Sequence, residues 1–258
     1  MTPRRNPSAP SRPAKKLRLD ALVEARGLAA SRTQAQALIR AGRVFSADTR
    51  LEKPGHQVPG DIPLVVRGPA HRWASRGGLK LVQGLDHFAI DPTGAIALDI
   101  GASTGGFTDV LLARGAARVY AVDVGRGQLD WRLRQDPRVV VLERLNSRHL
   151  TTEHIGEPPG IVTCDVSFIG LALALPPALG LAAPGAHLVA LIKPQFEVGK
   201  GEVGKGGIVR DEAARAAVCE RITAWLGRQP GWRVLGLTDS PITGAEGNRE
   251  YLIAGRKA

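Results

Sequence analysis

The stretch Asp99-Ile-Gly101-Ala-Ser103-Thr104-Gly105-Gly106-Phe107-Thr108 decides the fold. The apolar run Ala95 to Leu98 precedes it and reads as a buried parallel strand. Phe107 to Arg114 follows and reads as a helix ended by Gly115. Strand, glycine-rich turn and helix make the first unit of a nucleotide-binding α/β sheet. Glycines there let the backbone come close to a ligand. The next strand, from Arg118, carries Asp123 at its end, about 20 residues past the turn, where a carboxylate can accept ribose hydroxyls. Further strands are expected at 95–100, 118–123, 138–142, 161–166, 187–193, 232–238 and 250–256, with helices between the earlier ones. The last two have no crossover helix between them, which predicts an antiparallel strand.

The glycine spacing is G-x-x-x-G-G, not G-x-G-x-x-G, so a dinucleotide pyrophosphate is disfavoured. An adenosine-bearing ligand without phosphates fits better, and S-adenosylmethionine is the common one. Asp99, Gly101, Ser103, Thr104, Gly105, Gly106 and Phe107 are expected around its methionine portion, and Asp123 at its ribose.

The chain has 258 residues, 43% of them hydrophobic, and a net charge of +11. That is enough for a medium domain plus a small one. Residues 1–78 hold 15 Lys+Arg and 5 Asp+Glu, whereas residues 79–258 hold 20 and 19. The basic excess therefore sits in the first third, and nucleic acid is the first partner it suggests. Residues 1–16 show no apolar core of a signal peptide and read as a disordered basic tail, so a cytoplasmic location is expected. Cys164 and Cys219 lie far apart, outside any metal-type spacing, and read as reduced core residues. Leu171 to Ile192 is uncharged and about long enough to span a membrane. Pro176, Pro177, Pro184, Gly180 and Gly185 interrupt it, which predicts a helix, a turn and a buried strand from His187 instead.

Residues 17–70 form a first module, 71–76 a linker with Trp73 packing between modules, and 77–258 the α/β domain. Leu17 to Gly27 reads as a short helix. A second follows, capped by Ser31, with Ala35, Leu38 and Ile39 inward and Gly42 closing it. Arg32, Arg40 and Arg43 cluster at its ends, suited to backbone phosphates. Arg18-Leu-Asp20, Gly27-Leu-Ala-Ala-Ser31-Arg32, Ala35 to Val44 and Lys53-Pro-Gly55 resemble an S4-type RNA-binding domain, a small α+β fold. Phe45-Ser-Ala-Asp48 replaces the usual V-N-G. The resemblance implies contact with structured RNA, through Arg18, Arg32, Arg40 and Arg43.

Asp165 and Lys193 each end an apolar strand, at the edge where open α/β sheets bind ligands. With Lys80 and Glu250 they resemble the Lys-Asp-Lys-Glu tetrad of FtsJ-type ribose 2′-O-methyltransferases. The segments Ser75-Arg-Gly-Gly-Leu-Lys80, Asp99 to Thr108, Lys193-Pro-Gln-Phe-Glu197-Val-Gly-Lys200-Gly and Gly247-Asn-Arg-Glu250-Tyr251 complete the pattern. Together with the first module they resemble the TlyA-type (haemolysin A) ribosomal RNA methyltransferases, over residues 17 to about 256.

That resemblance implies a Rossmann-like methyltransferase sheet with helices on both faces. It implies S-adenosylmethionine-dependent methylation of a cytidine 2′-hydroxyl in 16S or 23S rRNA. A ribose hydroxyl is a poor nucleophile and needs a positioned base. A free lysine is mostly protonated at neutral pH, and a second lysine with the cofactor's positive charge favours loss of that proton. Lys193 is assigned as base, Lys80 to the hydroxyl or phosphate, Asp165 to the methyl and cofactor amine, and Glu250 to holding the lysines. Asn146 is assigned to adenine by resemblance, or to a turn. Glu197 to Gly207 carries Lys200 and Lys205 and reads as a lid over RNA, or as a linker. Ribosomal subunits are the expected partners, with no metal, no membrane and a monomeric state. A ribosome-binding factor without catalysis, which predicts a damaged tetrad, and a lytic protein, which needs an amphipathic span, are the competing classes.

Overall fold

The computed structural model describes residues 15–258 except 30, 68–71, 200–202, 205 and 245–246. Most of the expected basic tail, part of the linker, and Lys200 and Lys205 lie outside the described residues. The chain divides into two compact units between Arg72 and Trp73.

The first unit runs β1 (Lys16–Arg18), α1 (Leu19–Ala25), α2 (Arg32–Arg40), β2 (Val44–Ser46), β3 (Thr49–Arg50), β4 (Gln57–Pro59) and β5 (Val65–Val66). Leu19, Leu22 and Val23 of α1 bury against Ala35 and Ile39 of α2, with Val44, Leu51 and Val58 closing the core. The Ser31 hydroxyl accepts the Gln34 N–H at 3.2 Å, capping α2. Strand β1 pairs with β4, and β2 lies between β3 and β5. The altered turn still forms: Ala47 takes φ +48°, and Arg67 ties it down through Ala47 O (2.8 Å) and the Asp48 carboxylate (3.0 Å).

The second unit starts with α3 (Gly77–His87). It continues through β6 (Ile96–Ile100), α4 (Gly106–Ala113), β7 (Arg118–Asp123), α5 (Trp131–Arg134), β8 (Val139–Glu143) and β9 (Ile161–Cys164). Then come α6 (Leu171–Ala174), α7 (Pro176–Leu181), β10 (His187–Ile192), α8 (Pro194–Glu197), α9 (Glu212–Gly227), β11 (Trp232–Asp239) and β12 (Tyr251–Lys257). Seven strands form one sheet in the order β11-β12-β10-β9-β6-β7-β8. The five from β10 to β8 are parallel, and β12 runs antiparallel to both its neighbours. Two apolar clusters cover the two faces. One gathers Leu171, Leu175, Val218, Ile222 and Leu226 against Leu188 and Ile253. The other gathers Leu81, Leu85, Phe107, Val110 and Leu111 against Val189 and Leu252.

The long apolar stretch is spent on α6, α7 and β10, with Pro176 and Pro177 at the start of α7, where proline lacks no needed N–H. Among the described residues no helix is long and apolar enough to cross a membrane. Cys164 and Cys219 are buried free thiols, pushed up by burial to about 12 and about 11. Trp73 belongs to the second unit. It packs inside the second unit's core, where a Cβ on Gly78 would lie 2.6 Å from its side chain. Next to it the Ala74 N–H donates to Asp109 of α4 at 2.9 Å.

Candidate active site

The site lies where the parallel strands end. Pairing of β10 with β12 aligns Ile192 with Tyr251, so Lys193 and Glu250 take the next opposed positions. Strand β9 ends beside β6, and the Asp165 N–H donates to Ile100 O at 2.9 Å, bringing Asp165 level with Gly101. Helix α3 packs over β10 and β12 through Gly84, where a Cβ would lie 2.8 Å from Val189, and it carries Lys80 to the same edge. The four tetrad residues therefore lie in α3, just past the ends of β9 and β10, and just before β12.

They form two ion pairs. Lys80 Nζ lies 2.5 Å from Glu250 Oε2, the two side chains being 9% and 2% exposed. Lys193 Nζ lies 2.6 Å from Asp165 Oδ1 and donates to Ser167 Oγ at 3.0 Å. Glu250 was expected to hold both lysines; its ion pair is with Lys80, and Lys193 is held by Asp165 and Ser167. A Cβ on Gly244 would overlap Glu250 Oε1, so that glycine closes over the carboxylate. Asn248 accepts the Val209 N–H at 3.1 Å and donates to Gly207 O at 2.9 Å, anchoring the segment before Glu250.

The glycine turn is only partly open. Gly101 (φ +82°) would place a Cβ 2.8 Å from Asp165 O, and Gly105 (φ +93°) would drive one into Leu133, so glycine is required at both. Ser103 and Thr104 are exposed and Gly101 half-buried. Gly105 and Gly106 are buried, Gly106 against Ser75, and Phe107 is 3% exposed in the core. Asp99 is fully buried, with one oxygen accepting the Thr108 hydroxyl at 2.7 Å and the other the Thr163 hydroxyl at 3.0 Å. Burial pushes its carboxyl up to about 6. The side chains of Asp99 and Phe107 thus support the turn from behind, and Gly105 and Gly106 can meet a ligand only through backbone groups.

Beside the turn a small pocket is lined by Ala102, Ser103, Asp123, Gly125, Gln128, Leu129 and Glu143. Asp123 accepts the Ser103 N–H at 2.8 Å and the Gly125 N–H at 2.6 Å. Carboxylate oxygens carry further lone pairs for a ligand. Asn146 is not among the lining residues; its side chain accepts the Arg148 N–H at 3.1 Å and caps a 3₁₀ turn, so the turn reading describes it. Glu143, which ends β8 as Asp123 ends β7, went unnoticed, although its place at the end of an apolar strand was visible. Its carboxylate accepts the Gly127 N–H at 2.8 Å. Ser167 and Phe168, two and three residues past Asp165, were not assigned from the sequence either. Phe168 is 90% exposed at φ +67°, its ring 5.0 Å from that of Phe196.

In the first unit Asp20 is fully buried, pairs with two cations, Arg18 at 2.8 Å and Arg32 at 3.2 Å, and accepts the Gln36 amide N–H at 2.9 Å. Arg18 holds its carboxyl well below the usual range. Arg18 and Arg32 are therefore braced yet half-exposed. Arg40 is exposed, and Arg43 is half-buried with its Nε donating to Arg67 O at 3.2 Å. Among the described residues no cluster of His, Cys, Asp or Glu could hold a metal ion.

An S4-like unit joined to a mostly parallel methyltransferase sheet defines a class of two-domain methyltransferases. Residues 17–61 match the S4 domain family and residues 73–257 the FtsJ-like methyltransferase family. The 16S/23S rRNA (cytidine-2′-O)-methyltransferase TlyA of Mycobacterium tuberculosis is 50% identical over 245 residues, covering 93% of this chain and 90% of that protein. Hemolysin A of Brachyspira hyodysenteriae is 40% identical over 237 residues, covering 92% and 98%. A solved Streptococcus thermophilus chain bearing a hemolysin name superposes with TM-score 0.74 at 42% identity, covering 95% of this chain and 89% of that one. The chain belongs to the TlyA family of FtsJ-like methyltransferases.

Proposed function

We propose that this protein methylates the 2′-hydroxyl of a cytidine in ribosomal RNA with S-adenosylmethionine as donor. One observation carries the reading: two lysine–carboxylate pairs stand at the sheet edge beside a partly open glycine turn. The residues lining the neighbouring pocket suit the groups of the cofactor. The pocket's turn excludes a Cβ at Gly101 and Gly105, and Asp123 and Glu143 end adjacent strands on its wall. When bound, the cofactor supplies an electrophilic methyl group. Asp123 would accept its ribose hydroxyls, and Gly101, Ser103 and Thr104 would face its methionine portion.

Lys193, in its neutral amine form, takes the proton from the 2′-hydroxyl as that oxygen attacks. Asp165 and Ser167 fix where Nζ stands. Lys80, fixed by Glu250, orients the hydroxyl or its neighbouring phosphate. The exposed Phe168 ring offers a face for an unstacked base, the usual way of holding a single nucleotide of RNA. Arg18, Arg32, Arg40 and Arg43 anchor RNA phosphates, which position without reading sequence. Substrate of this kind puts the enzyme in the cytoplasm with the ribosome, and we propose that it acts as a monomer. The test is transfer of labelled methyl from S-adenosylmethionine to isolated ribosomal subunits. Label at a cytidine 2′-oxygen supports the reading, and label on a base or on no RNA contradicts it.

A further inference from the structure

Glu197 is a buried carboxylate that the reaction leaves unused. It ends α8, four residues after Lys193, and its side chain is 4% exposed. Its Oε1 accepts the Leu171 N–H at 2.7 Å. Leu171 opens α6, whose preceding residue, Gly170, has no side chain to cap the helix, so Glu197 supplies the missing cap from another segment. The fit is close: a Cβ on Gly170 would stand 3.0 Å from Glu197 Oε2. Behind it Arg221 of α9 donates to Glu197 O at 2.6 Å, with the same nitrogen 3.5 Å from Oε2. Burial raises the carboxyl above its ordinary range, while the Leu171 N–H and Arg221 act against that.

The two segments that Glu197 joins are the chain leaving β9 (165–171) and the chain leaving β10 (193–197). They touch at three further points. Lys193 reaches Asp165 at 2.6 Å and Ser167 at 3.0 Å, and Phe168 meets Phe196 at 5.0 Å. Phe168 holds a left-handed backbone conformation that side-chain-bearing residues seldom adopt. Such a conformation persists only where surrounding contacts over-determine it. Glu197 lies at the far end of this line of contacts, on the side away from Lys193.

We infer that Glu197 is a positioning residue: by pinning Leu171 it holds the 165–170 segment on Lys193, and so keeps Asp165, Ser167 and Phe168 in place for transfer. The inference rests on the methyl-transfer reading, with Lys193 as the base. The variants Glu197→Ala and Glu197→Gln test it in the full-length protein. Glutamine keeps an acceptor for the Leu171 N–H and alanine does not. With ribosomal subunits as substrate, Glu197→Ala should lower kcat by roughly tenfold to a hundredfold, the scale of a misplacement near 1 Å. Its KM for S-adenosylmethionine should stay within about twofold, and Glu197→Gln should recover most of the rate. Hydrogen exchange should quicken at 165–171 in the alanine variant alone.

A rate loss in both variants that tracks their thermal stability would overturn the inference, as would quickened exchange with kcat unchanged, or exchange that does not change at all. Absence of transfer by the wild-type protein refutes the underlying reading first and takes this inference with it. The exchange arm then still reports whether the pin exists.

Discussion

Glu250→Ala should be among the most destabilising single substitutions in the second unit, for a reason that can be sized. Lys80 and Glu250 pair at 2.5 Å with side chains 9% and 2% exposed. Removing the carboxylate leaves an ammonium with little water and no counter-charge, which costs about 3–5 kcal/mol. In a domain of this size each kcal/mol moves the thermal midpoint by about 2–4 °C, so a fall of roughly 6–20 °C is expected. Lys80→Met should cost a similar amount by stranding Glu250. The double variant Lys80→Met/Glu250→Leu removes both charges and should regain most of the loss, because apolar replacement of a buried pair is often neutral. Calorimetric melting of the four proteins compares each stranded charge with the apolar replacement. Methyl transfer should stay lost in the double variant even when its stability returns, separating the pair's chemistry from its contribution to the fold. A Glu250→Ala loss below about 1 kcal/mol, the range of exposed pairs, would refute the reasoning.

Three further outcomes are expected. Asp123→Ala should weaken S-adenosylmethionine binding measured by titration calorimetry, and unchanged affinity would move the ribose contact to Glu143. Asp99 holds its proton more tightly folded than unfolded, about 6 against 3.8. Its contribution is therefore full below about pH 4 and falls as pH rises to about 6, by about 3 kcal/mol at 1.36 kcal/mol per unit. Asp99→Asn should flatten that fall, and identical wild-type and variant stability curves between pH 4 and 7 would contradict it. A chain starting at Trp73, where the structure divides, should bind S-adenosylmethionine but fail on ribosomal substrate, and RNA binding by the full chain should weaken steeply with salt. Equal methylation by the short and full chains would show that the first unit is not the anchor.

Much of this was legible because each element had a local cause. The strand ends at Asp99, Asp123, Asp165 and Lys193 follow from short apolar runs meeting a charge, and β6, β7, β9 and β10 end within a residue of those positions. Ser31 at the start of α2 is capping chemistry written in adjacent residues. What stayed hidden depends on contacts between distant segments. Nothing local says that Glu250 turns to Lys80 while Lys193 turns to Asp165 and Ser167. The burial of Asp99 depends on Thr163 from a neighbouring strand, and that of Phe107 on the core it shares with Trp73. The role of Glu197 depends on Leu171, 26 positions earlier. Asn146 shows the opposite case: capping its own turn was the local reading and describes the geometry, where the resemblance pointed to adenine.

The most direct test is single-turnover methylation of ribosomal subunits by wild type and Lys193→Ala, with the product mapped by reverse transcription at limiting nucleotide. Wild type should place one methyl on a cytidine 2′-oxygen. Lys193→Ala should lose transfer by at least about a hundredfold, the lower end of a general-base contribution, while binding S-adenosylmethionine within several-fold of wild type. Transfer by Lys193→Ala at more than about a tenth of the wild-type rate would contradict the account.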